Sequence, residues 1–307
     1  MDNIKVSVII PTYIRSRDIC RAVDSVLANT LEEIEVIVCD DNGIGTDEGE
    51  KTAQIMKKYE GDSRDIYLRP EKNQNGAAAR NTGIKASRGK YIAFLDDDDA
   101  FFPERLEKMY NKLESLDSSY GACYSAYVKN MPDGTRQYSS ETAEGDVFLR
   151  VLMRSLYIGT GSNLFFSRKA VEDIGLFDTS FLRNQDLEYL VRITKKYKLA
   201  YVDEVLMQAF YDIRTVKFTF EQSCERERLF REKFAPFAEV LTIKEKREIQ
   251  IKYDLEFIRF LIATKRFGVA IKTIFSAKIP LKIYFAYLKY ALDRAKNKTS
   301  YGFVVKL

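Results

Sequence analysis

Residues 91–99 constrain the fold most strongly, because the apolar run Tyr-Ile-Ala-Phe-Leu continues directly into four aspartates, Asp96 to Asp99. Adjacent ionised carboxylates repel one another, so this arrangement requires either full solvation or a neutralising hard cation such as Mg²⁺ or Mn²⁺. A solvated acidic turn before a helix that opens at Pro103 is the alternative. The segment therefore predicts a buried strand that ends in a cation site or in an acidic turn.

Short β-branched runs alternate with amphipathic stretches in the first third of the chain. The predicted strands cover residues 5–11, 35–39, 65–69 and 91–95, and the predicted helices cover 17–29, 48–60 and 76–87. Such alternation predicts a parallel sheet covered by helices. Ligands of these sheets bind beyond the carboxyl ends of the strands. We therefore expect Thr12-Tyr13, Asp40-Asp41 and Asp96–Asp99, each of which follows a strand, to converge at one edge.

The pattern of predicted secondary structure changes twice in the rest of the chain. After a helix over 103–116, we expect strands at 121–129, 135–139, 163–167 and 200–203, and helices at 144–155 and 184–198. This pattern is typical of the second half of one mixed α/β domain. From residue 221 the sequence is almost wholly helical, with breaks at Pro236 and Pro280. We predict a catalytic domain over 1–220 and a helical, basic region over 221–307.

Charge and composition limit the classes of protein to which this chain can belong. The segment 236–307 has 15 Lys and Arg against 6 Asp and Glu, whereas the whole chain has 49 against 45. This asymmetry indicates that the last quarter meets an anionic surface. The four cysteines lack metal-binding or redox spacing, and no leader or membrane span is evident, which favours a cytoplasmic protein. The chain contains no histidine, which excludes an imidazole base or ligand.

Five motifs occur in one order along about residues 4–212. They are Pro11-Thr12-Tyr13, Asp40-Asp41, Asn75–Gly83, Phe94–Asp99, and Gln185-Asp186 followed by Arg192. Together they resemble the family 2 glycosyltransferases of GT-A fold, which have a Rossmann-like mixed sheet flanked by helices. The resemblance implies sugar transfer from a nucleotide-diphosphate donor, with inversion, to an acceptor hydroxyl.

The resemblance also implies roles for the residues at the strand ends. Pro11, Thr12 and Tyr13 match the loop that packs on the base, and Asp41 matches the carboxylate that accepts a hydrogen bond from it. The Asp-Asn-Gly context of Asp41 also fits a simple turn. Arg80 lies near the diphosphate or forms a structural pair with an aspartate. The implied metal ligands for Mn²⁺ or Mg²⁺ are Asp98 and Asp96, and Asp96 and Asp97 contact the donor.

Asp186 matches the family's catalytic base, which removes the proton from the acceptor hydroxyl. Gln185 replaces the first acid of the family's acidic pair, and Glu188 is the reserve base. Asp186 could instead cap the helix that follows. Gly161 and Ser162 lie where the family forms the acceptor region, and a flexible turn is the alternative.

Residues 281–296 form a basic amphipathic helix, with apolar residues at helical spacing and lysines on another face. The segment 265–298 has nine Lys and Arg against one acid. It fits peripheral contact with an anionic membrane, or packing on the catalytic domain or a second subunit of a homo-oligomer.

These observations favour an inverting transferase that moves a sugar, with UDP-sugar as the expected donor, onto a saccharide acceptor. The basic tail suggests a lipid-linked acceptor at the inner face of the membrane, in cell-surface polysaccharide synthesis. We expect no nucleic-acid partner. The alternatives are a sugar-1-phosphate nucleotidyltransferase, which would need a Gly-rich basic loop after the first strand, and a non-catalytic nucleotide-sugar-binding protein.

Overall fold

The structure, a computed structural model, describes residues 4–211, 219–297 and 301–307. Its internal contacts divide the chain into two compact units. The first unit comprises Met1–Asp146 with Ile158–Tyr211, and the second comprises Val147–Tyr157 with Asp212–Leu307. All strands among the described residues belong to the first unit.

The first unit is built on one mixed sheet. Its strands are β1 (Val6–Thr12), β2 (Ile34–Asp40), β3 (Asp65–Leu68), β4 (Tyr91–Phe94), β5 (Ala100–Phe101), β6 (Tyr120–Asn130), β7 (Arg136–Tyr138), β8 (Phe165–Ser167) and β9 (Lys198–Phe210). Among the described residues, the strand order is β3-β2-β1-β4-β8-β6-β9-β5, and β7 pairs with β6. The pairs β1–β2, β1–β4 and β2–β3 are parallel, whereas β8 is antiparallel to both β4 and β6. The predicted α/β class with a mixed sheet is confirmed.

Helices account for most of the remaining chain. They are α1 (Ile19–Leu27), α2 (Asp47–Met56), α3 (Gly76–Ala86), α4 (Arg105–Glu114), α5 (Phe148–Leu152), α6 (Arg168–Ile174), α7 (Gln185–Lys196), α8 (Phe220–Phe234), α9 (Ile243–Ala263), α10 (Phe267–Ser276) and α11 (Leu281–Asn297). The sequence pattern did not predict α6, which is short and directly follows β8. The strand expected at 200–203 is longer than predicted, because β9 pairs with β6 along most of its length.

The parallel register brings the three polar clusters to one edge of the sheet. Thr12 pairs with Asp40 across β1 and β2, and Ile9 pairs with Phe94 across β1 and β4. The carboxyl ends of these three strands therefore lie side by side. This confirms the predicted convergence of the loops that follow β1, β2 and β4.

Helix α3 packs closely on the sheet because it has small residues on the buried face. Ala77, Ala79 and Gly83 are all buried. A Cβ atom at Gly83 would lie 2.4 Å from Cγ2 of Ile9 and 3.1 Å from Sγ of Cys39. The missing side chain thus sets the distance between α3 and strands β1 and β2.

The second unit differs from the predicted helical region at its start. Residues 147–157 were expected to belong to the catalytic domain, but they pack within the second unit. The hydroxyl of Tyr253 donates a hydrogen bond to the carbonyl of Leu152 at 2.6 Å. Arg154 donates to both carboxylate oxygens of Glu227, at 2.8 and 2.9 Å. These contacts join α5 and the turn after it to α8 and α9.

The helices of the second unit begin and end where local sequence signals indicate. Capping boxes at Thr219 and Thr242 open α8 and α9. Pro236 lies in a short 3₁₀ turn between these two helices, and Pro280 precedes α11, so both expected breaks are confirmed. Residues 212–218, just before the predicted boundary at 220, lie outside the described residues. None of the described helices is both long and apolar enough to cross a membrane.

We expect Gly83→Ala to lower the free energy of unfolding by about 1–3 kcal/mol, the usual cost of overpacking a close contact. Gly268→Ala is the matched control, because Gly268 is also helical and a Cβ atom there would meet nothing within 4 Å. That change should stabilise α10 by up to about 1 kcal/mol, because Ala has the higher helix propensity. Chemical denaturation compares both variants. Equal stability of Gly83→Ala and the wild type would contradict the close approach of α3.

Candidate active site

The candidate active site is a cleft of about 470 Å³ in the first unit, at the carboxyl ends of β1, β2 and β4. Its lining residues are Pro11, Thr12, Tyr13, Arg15, Asp41, Asn73, Asn75, Gly76, Ala79, Arg80, Asp96, Asp97 and Asp98. Every residue predicted to contact the donor or a metal is among them. Arg15 and Asn73 were not predicted, and Asn75 was identified only as the first residue of the Asn75–Gly83 motif.

The four aspartates after β4 alternate in direction. The side chains of Asp96 and Asp98 are 31% and 23% exposed, whereas Asp97 and Asp99 are buried. Aspartates two residues apart on this extended segment thus point to the same side. Asp96 and Asp98, the two implied metal ligands, are the pair that reaches solvent.

Each of the two exposed carboxylates has an arginine partner. Arg80, from α3, contacts Oδ1 of Asp96 at 2.6 Å. Arg15, from the loop after β1, forms an ion pair with Asp98. The cautious interpretation of Arg80 as the partner of an aspartate is thus confirmed, and Arg80 lines the cleft as well.

The two buried aspartates hold the walls of the cleft. Asp97 accepts hydrogen bonds from the Thr12 hydroxyl at 2.7 Å and from the Tyr13 amide at 3.4 Å. Burial raises the pKa of Asp97 to about 6, against the opposing effect of the Thr12 hydrogen bond. Asp99 accepts a hydrogen bond from the Ser162 hydroxyl at 2.6 Å, and burial raises its pKa too. Asp97, predicted as a donor contact, therefore supports the β1 loop from beneath.

The loop after β1 contributes a ring and a cation to the cleft. Tyr13 is 50% exposed there. Ile14 has a left-handed φ of 55°, and its amide donates to Oδ1 of Asn42 at 2.8 Å. This turn directs Arg15 toward the acidic run. The sequence did contain a signal for Arg15. This residue lies three positions after the end of β1, and the four aspartates follow the neighbouring strand β4.

The carboxylate of Asp41 holds the wall of the cleft that is formed by residues 73–75. This buried carboxylate accepts hydrogen bonds from the amides of Gln74 and Asn75, at 2.8 and 2.9 Å, and from Nδ2 of Asn73 at 2.9 Å. Burial raises the pKa of Asp41, although the hydrogen bonds from the two amides oppose this effect. Asp41 therefore fixes the 73–75 segment, and it also lines the cleft where the base contact was predicted.

Gln185 supports Arg80. Its Oε1 accepts a hydrogen bond from Arg80 at 3.0 Å, and its Nε2 donates to the carbonyl of Phe181 at 2.7 Å. The side chain predicted for the acceptor region is thus engaged in positioning the guanidinium that holds Asp96.

Gly161 and Ser162, predicted for the acceptor region, lie in a buried 3₁₀ turn. The Ser162 hydroxyl donates to Asp99 and accepts from the Asp96 amide at 3.0 Å. The carbonyl of Ser162 accepts a hydrogen bond from Arg105 at 3.1 Å. Because Ser162 has no exposed surface, it cannot touch an acceptor in this conformation. It instead fixes the backbone of the acidic run.

Asp186 lies in the first turn of α7 and is partly buried. The helix begins at Gln185 with Asn184 at the capping position, so Asp186 is not the cap residue. Desolvation raises its pKa. The hydrogen bond from the Leu187 amide and the charge of Arg80 oppose that effect, whereas the charge of Asp96 adds to it. Asp186 is therefore a carboxylate of raised basicity within electrostatic reach of the Arg80–Asp96 pair.

The reserve base, Glu188, is not available for proton transfer. It is buried and accepts two hydrogen bonds from Arg192, at 2.6 and 2.9 Å. Arg192 also donates to the carbonyl of Ile174 at 2.7 Å. The Glu188–Arg192 pair therefore joins α7 to the end of α6.

The described residues contain no group of three or more Cys, Asp or Glu side chains arranged to hold a metal ion. The donor chemistry at Asp96 and Asp98 nevertheless fits Mg²⁺ or Mn²⁺. These cations prefer oxygen ligands, and Mg²⁺ is commonly held by one or two carboxylates together with substrate phosphates. Both carboxylates reach the cleft, and both carry an arginine that a cation would replace.

We expect Asp41→Ala to lower the free energy of unfolding by about 2–4 kcal/mol, because three N–H groups of the 73–75 segment lose their acceptor. The matched control is Glu50→Ala, which removes an exposed carboxylate that pairs with Arg69 at 2.8 Å. That change should leave stability nearly unaltered. Urea denaturation distinguishes the two. An equally small effect at both positions would show that Asp41 does not fix the wall of the cleft.

Comparison with known sequences identifies relatives of the chain. Residues 7–175 match the family model "Glycosyl transferase family 2". An uncharacterized glycosyltransferase of Rickettsia bellii is 37% identical over 150 residues, which are 48% of this chain and 21% of the relative. The poly(ribitol-phosphate) β-N-acetylglucosaminyltransferase TarP of Staphylococcus aureus is 39% identical over 109 residues, 35% of this chain and 32% of TarP. The match thus spans about a fifth of the length of the Rickettsia bellii protein.

Solved structures give the same fold. The crystal structure of residues 1–349 of Staphylococcus aureus TarS in complex with UDP-GlcNAc matches with a TM-score of 0.63 and 19% identity. The match covers 91% of this chain and 77% of that one. The predicted GT-A fold is therefore confirmed. With the family match over more than half of its length, the chain belongs to glycosyl transferase family 2.

Proposed function

We propose that this protein transfers a sugar from a nucleoside-diphosphate donor to a hydroxyl of a saccharide acceptor, with inversion at the anomeric carbon. Family membership supports the transferase class. TarS was crystallised with UDP-GlcNAc, and TarP is named as an N-acetylglucosaminyltransferase, which makes UDP-GlcNAc the first donor to test. The poly(ribitol-phosphate) in the name of TarP supports an acceptor in polysaccharide synthesis, which we place at the cell surface.

The donor occupies the cleft in this proposal. The half-exposed ring of Tyr13 packs on the base, and Asp41 accepts a hydrogen bond from it. Arg15 and Arg80 lie on the cleft wall beside the aspartates, where the diphosphate charge would be. Because a guanidinium binds phosphate as readily as carboxylate, either arginine can exchange its aspartate for the donor.

Asp98 and Asp96 would hold Mn²⁺ or Mg²⁺ against the diphosphate. The cation would act as a Lewis acid that stabilises the charge developing on the leaving nucleoside diphosphate. For this to happen, both ion pairs in the cleft would have to break. Arg15 would separate from Asp98, and Arg80 would separate from Asp96. Asp97 and Asp99 remain in place, because their hydrogen-bond donors are backbone amides and hydroxyls of the walls.

The proposed chemistry rests on the environment of Asp186, which raises the pKa of its carboxylate. A general base must be ionised near neutral pH, yet basic enough to accept the proton of a hydroxyl. Partial burial raises the pKa of Asp186, while Arg80 and the Leu187 amide limit the rise. The carboxylate would take the proton of the acceptor hydroxyl as its oxygen attacks the anomeric carbon and the C–O bond to the diphosphate breaks.

We expect Asp186→Asn to retain donor affinity and to lower the transfer rate by roughly 10²–10⁴-fold, the range of a lost general base. The control is Glu188→Gln, two residues along α7, which should retain the rate because the buried Glu188 carboxylate is engaged by two hydrogen bonds from Arg192. Initial rates and calorimetric donor binding are measured for both. Rate loss in Glu188→Gln without loss in Asp186→Asn would overturn the assignment.

The pH profile gives a second readout of Asp186. Only its ionised form can accept a proton, and its pKa lies above the ordinary value of 3.8. The wild-type rate should therefore fall as the pH decreases through that raised pKa. The residual rate of Asp186→Asn should lack this acidic limb. An identical limb in both proteins would assign the ionisation to another group.

We expect Asp98→Ala to abolish turnover and to remove the Mn²⁺-dependent part of UDP binding, because a ligand is lost and the diphosphate charge is left uncompensated. Asp117→Ala removes a carboxylate on the loop before β6, and it should change neither property. Calorimetry with and without Mn²⁺ separates the two contributions. Full wild-type activity in EDTA, or in Asp98→Ala, would contradict the metal assignment.

A further inference from the structure

Two consecutive helices of the second unit expose apolar stripes. On α11, Leu281, Phe285, Leu288 and Leu292 follow helical spacing and are 56% to 73% exposed. On α10, Phe267, Ile271 and Phe275 recur every four residues and are 54% to 79% exposed. Exposed apolar side chains are ordinary when scattered singly, but aligned runs mark interaction surfaces.

The stripe on α11 is not the face by which the helix packs in its own unit. Ile283 and Tyr290 are buried on the other side. Ile283 joins a small core with Ile251, Leu255 and Val305. The helix therefore has two apolar faces. One is covered by the second unit, and the other is open in the structure.

Exposed lysines accompany the open stripes. Lys282 and Lys289 each follow a stripe leucine by one residue, which places them about 100° around the helix and thus along its flank. Lys272 on α10 and Lys278 before α11 are also exposed. Among the described residues, none of these four ammonium groups has a carboxylate within ion-pairing distance. Lys298, the last residue of the predicted basic segment, lies outside the described residues.

Several charges on the other helices of the same unit form ion pairs. Arg228 lies between Glu225 and Glu232 on α8, at 2.6 and 2.5 Å. Lys252 contacts Glu256 on α9 at 2.9 Å. On α11, the acid Asp293 is engaged by Asn297 and by the hydroxyl of Tyr301. On α10 and α11, the lysines without a carboxylate partner lie beside exposed apolar stripes, and this combination characterises the surface.

We propose that α10 and α11 form a peripheral membrane-binding surface for anionic lipid headgroups. Apolar side chains would enter the interface, while the flanking lysines reach the headgroup phosphates. Charge complementarity selects this occupant over a second copy of the chain, because a symmetric pairing of this surface would bring like-charged lysines together. Attachment through these helices goes beyond the proposed transferase chemistry and does not depend on it.

The test uses the full chain and vesicles of phosphatidylcholine with or without 30% phosphatidylglycerol. Co-sedimentation should show binding to the anionic vesicles and much weaker binding to the neutral ones. High salt should weaken the binding, because it screens exposed charges. Equal binding to both vesicle types, or no binding to either, would overturn the proposal.

Charge-reversal variants locate the surface. Changing Lys272, Lys282 and Lys289 to Glu should weaken binding to anionic vesicles at least about a hundredfold, because each basic residue near such a surface contributes on the order of 1 kcal/mol. The matched control changes Lys85, Lys169 and Lys195 to Glu, which alters the net charge equally on the first unit. The control should retain binding. Equal losses in both variants would mean that net charge alone acts.

A third variant tests the apolar contribution. Phe285→Ser with Leu288→Ser should reduce vesicle binding at least tenfold while leaving the melting temperature unchanged, since both side chains are already exposed. Size-exclusion chromatography accompanies the assay. If the wild type is an oligomer that this double variant dissociates, with no vesicle binding, the stripe is a subunit contact and the membrane proposal is wrong.

Discussion

Repulsion among four consecutive carboxylates is the constraint on which the first unit depends. The protein reduces this repulsion by giving the aspartates after β4 partners in different directions. Arg80 of α3 holds Asp96, and Arg15 of the β1 loop holds Asp98. Thr12 donates to Asp97, and Ser162 donates to Asp99. One nine-residue segment thereby fixes four surrounding elements, so the charge that would destabilise an isolated strand end organises the cleft.

The aspartates with hydroxyl and backbone donors should behave differently from the aspartates with guanidinium partners when a ligand binds. Hydroxyl and backbone donors to Asp97 and Asp99 are buried and short-range, and they leave these acids as permanent parts of the walls. The guanidinium partners of Asp96 and Asp98 lie in a partly exposed cleft, and each has an alternative ligand in a diphosphate. Each of these two carboxylates is thus balanced by one guanidinium. A nucleoside diphosphate and a cation together would bring both charges needed to exchange the pairs.

Much of this arrangement could be predicted from sequence, because parallel strands necessarily align their carboxyl ends. That geometry places Thr12, Asp41 and the Asp96–Asp99 run together from periodicity alone. Side-chain direction was harder to predict. Asp41 holds the 73–75 segment largely through backbone amides, which have no residue signature. Ser162, expected in the acceptor region or in a flexible turn, is buried beneath the acids. Residues 147–157 joined the second unit through tertiary contacts such as Tyr253 with Leu152, which local pattern cannot reveal.

The central claim is that Asp98 would exchange Arg15 for a cation when the nucleotide binds, while Asp97 and Asp99 would keep their hydrogen-bond donors. A crystal structure with UDP and Mn²⁺, phased to reveal the anomalous scattering of manganese, tests it directly. The account predicts a manganese peak in contact with the Asp98 carboxylate and a guanidinium of Arg15 that has turned away from it. A manganese peak at Asp97 or Asp99, or bound UDP with the Arg15–Asp98 pair intact and no manganese in the cleft, would contradict it.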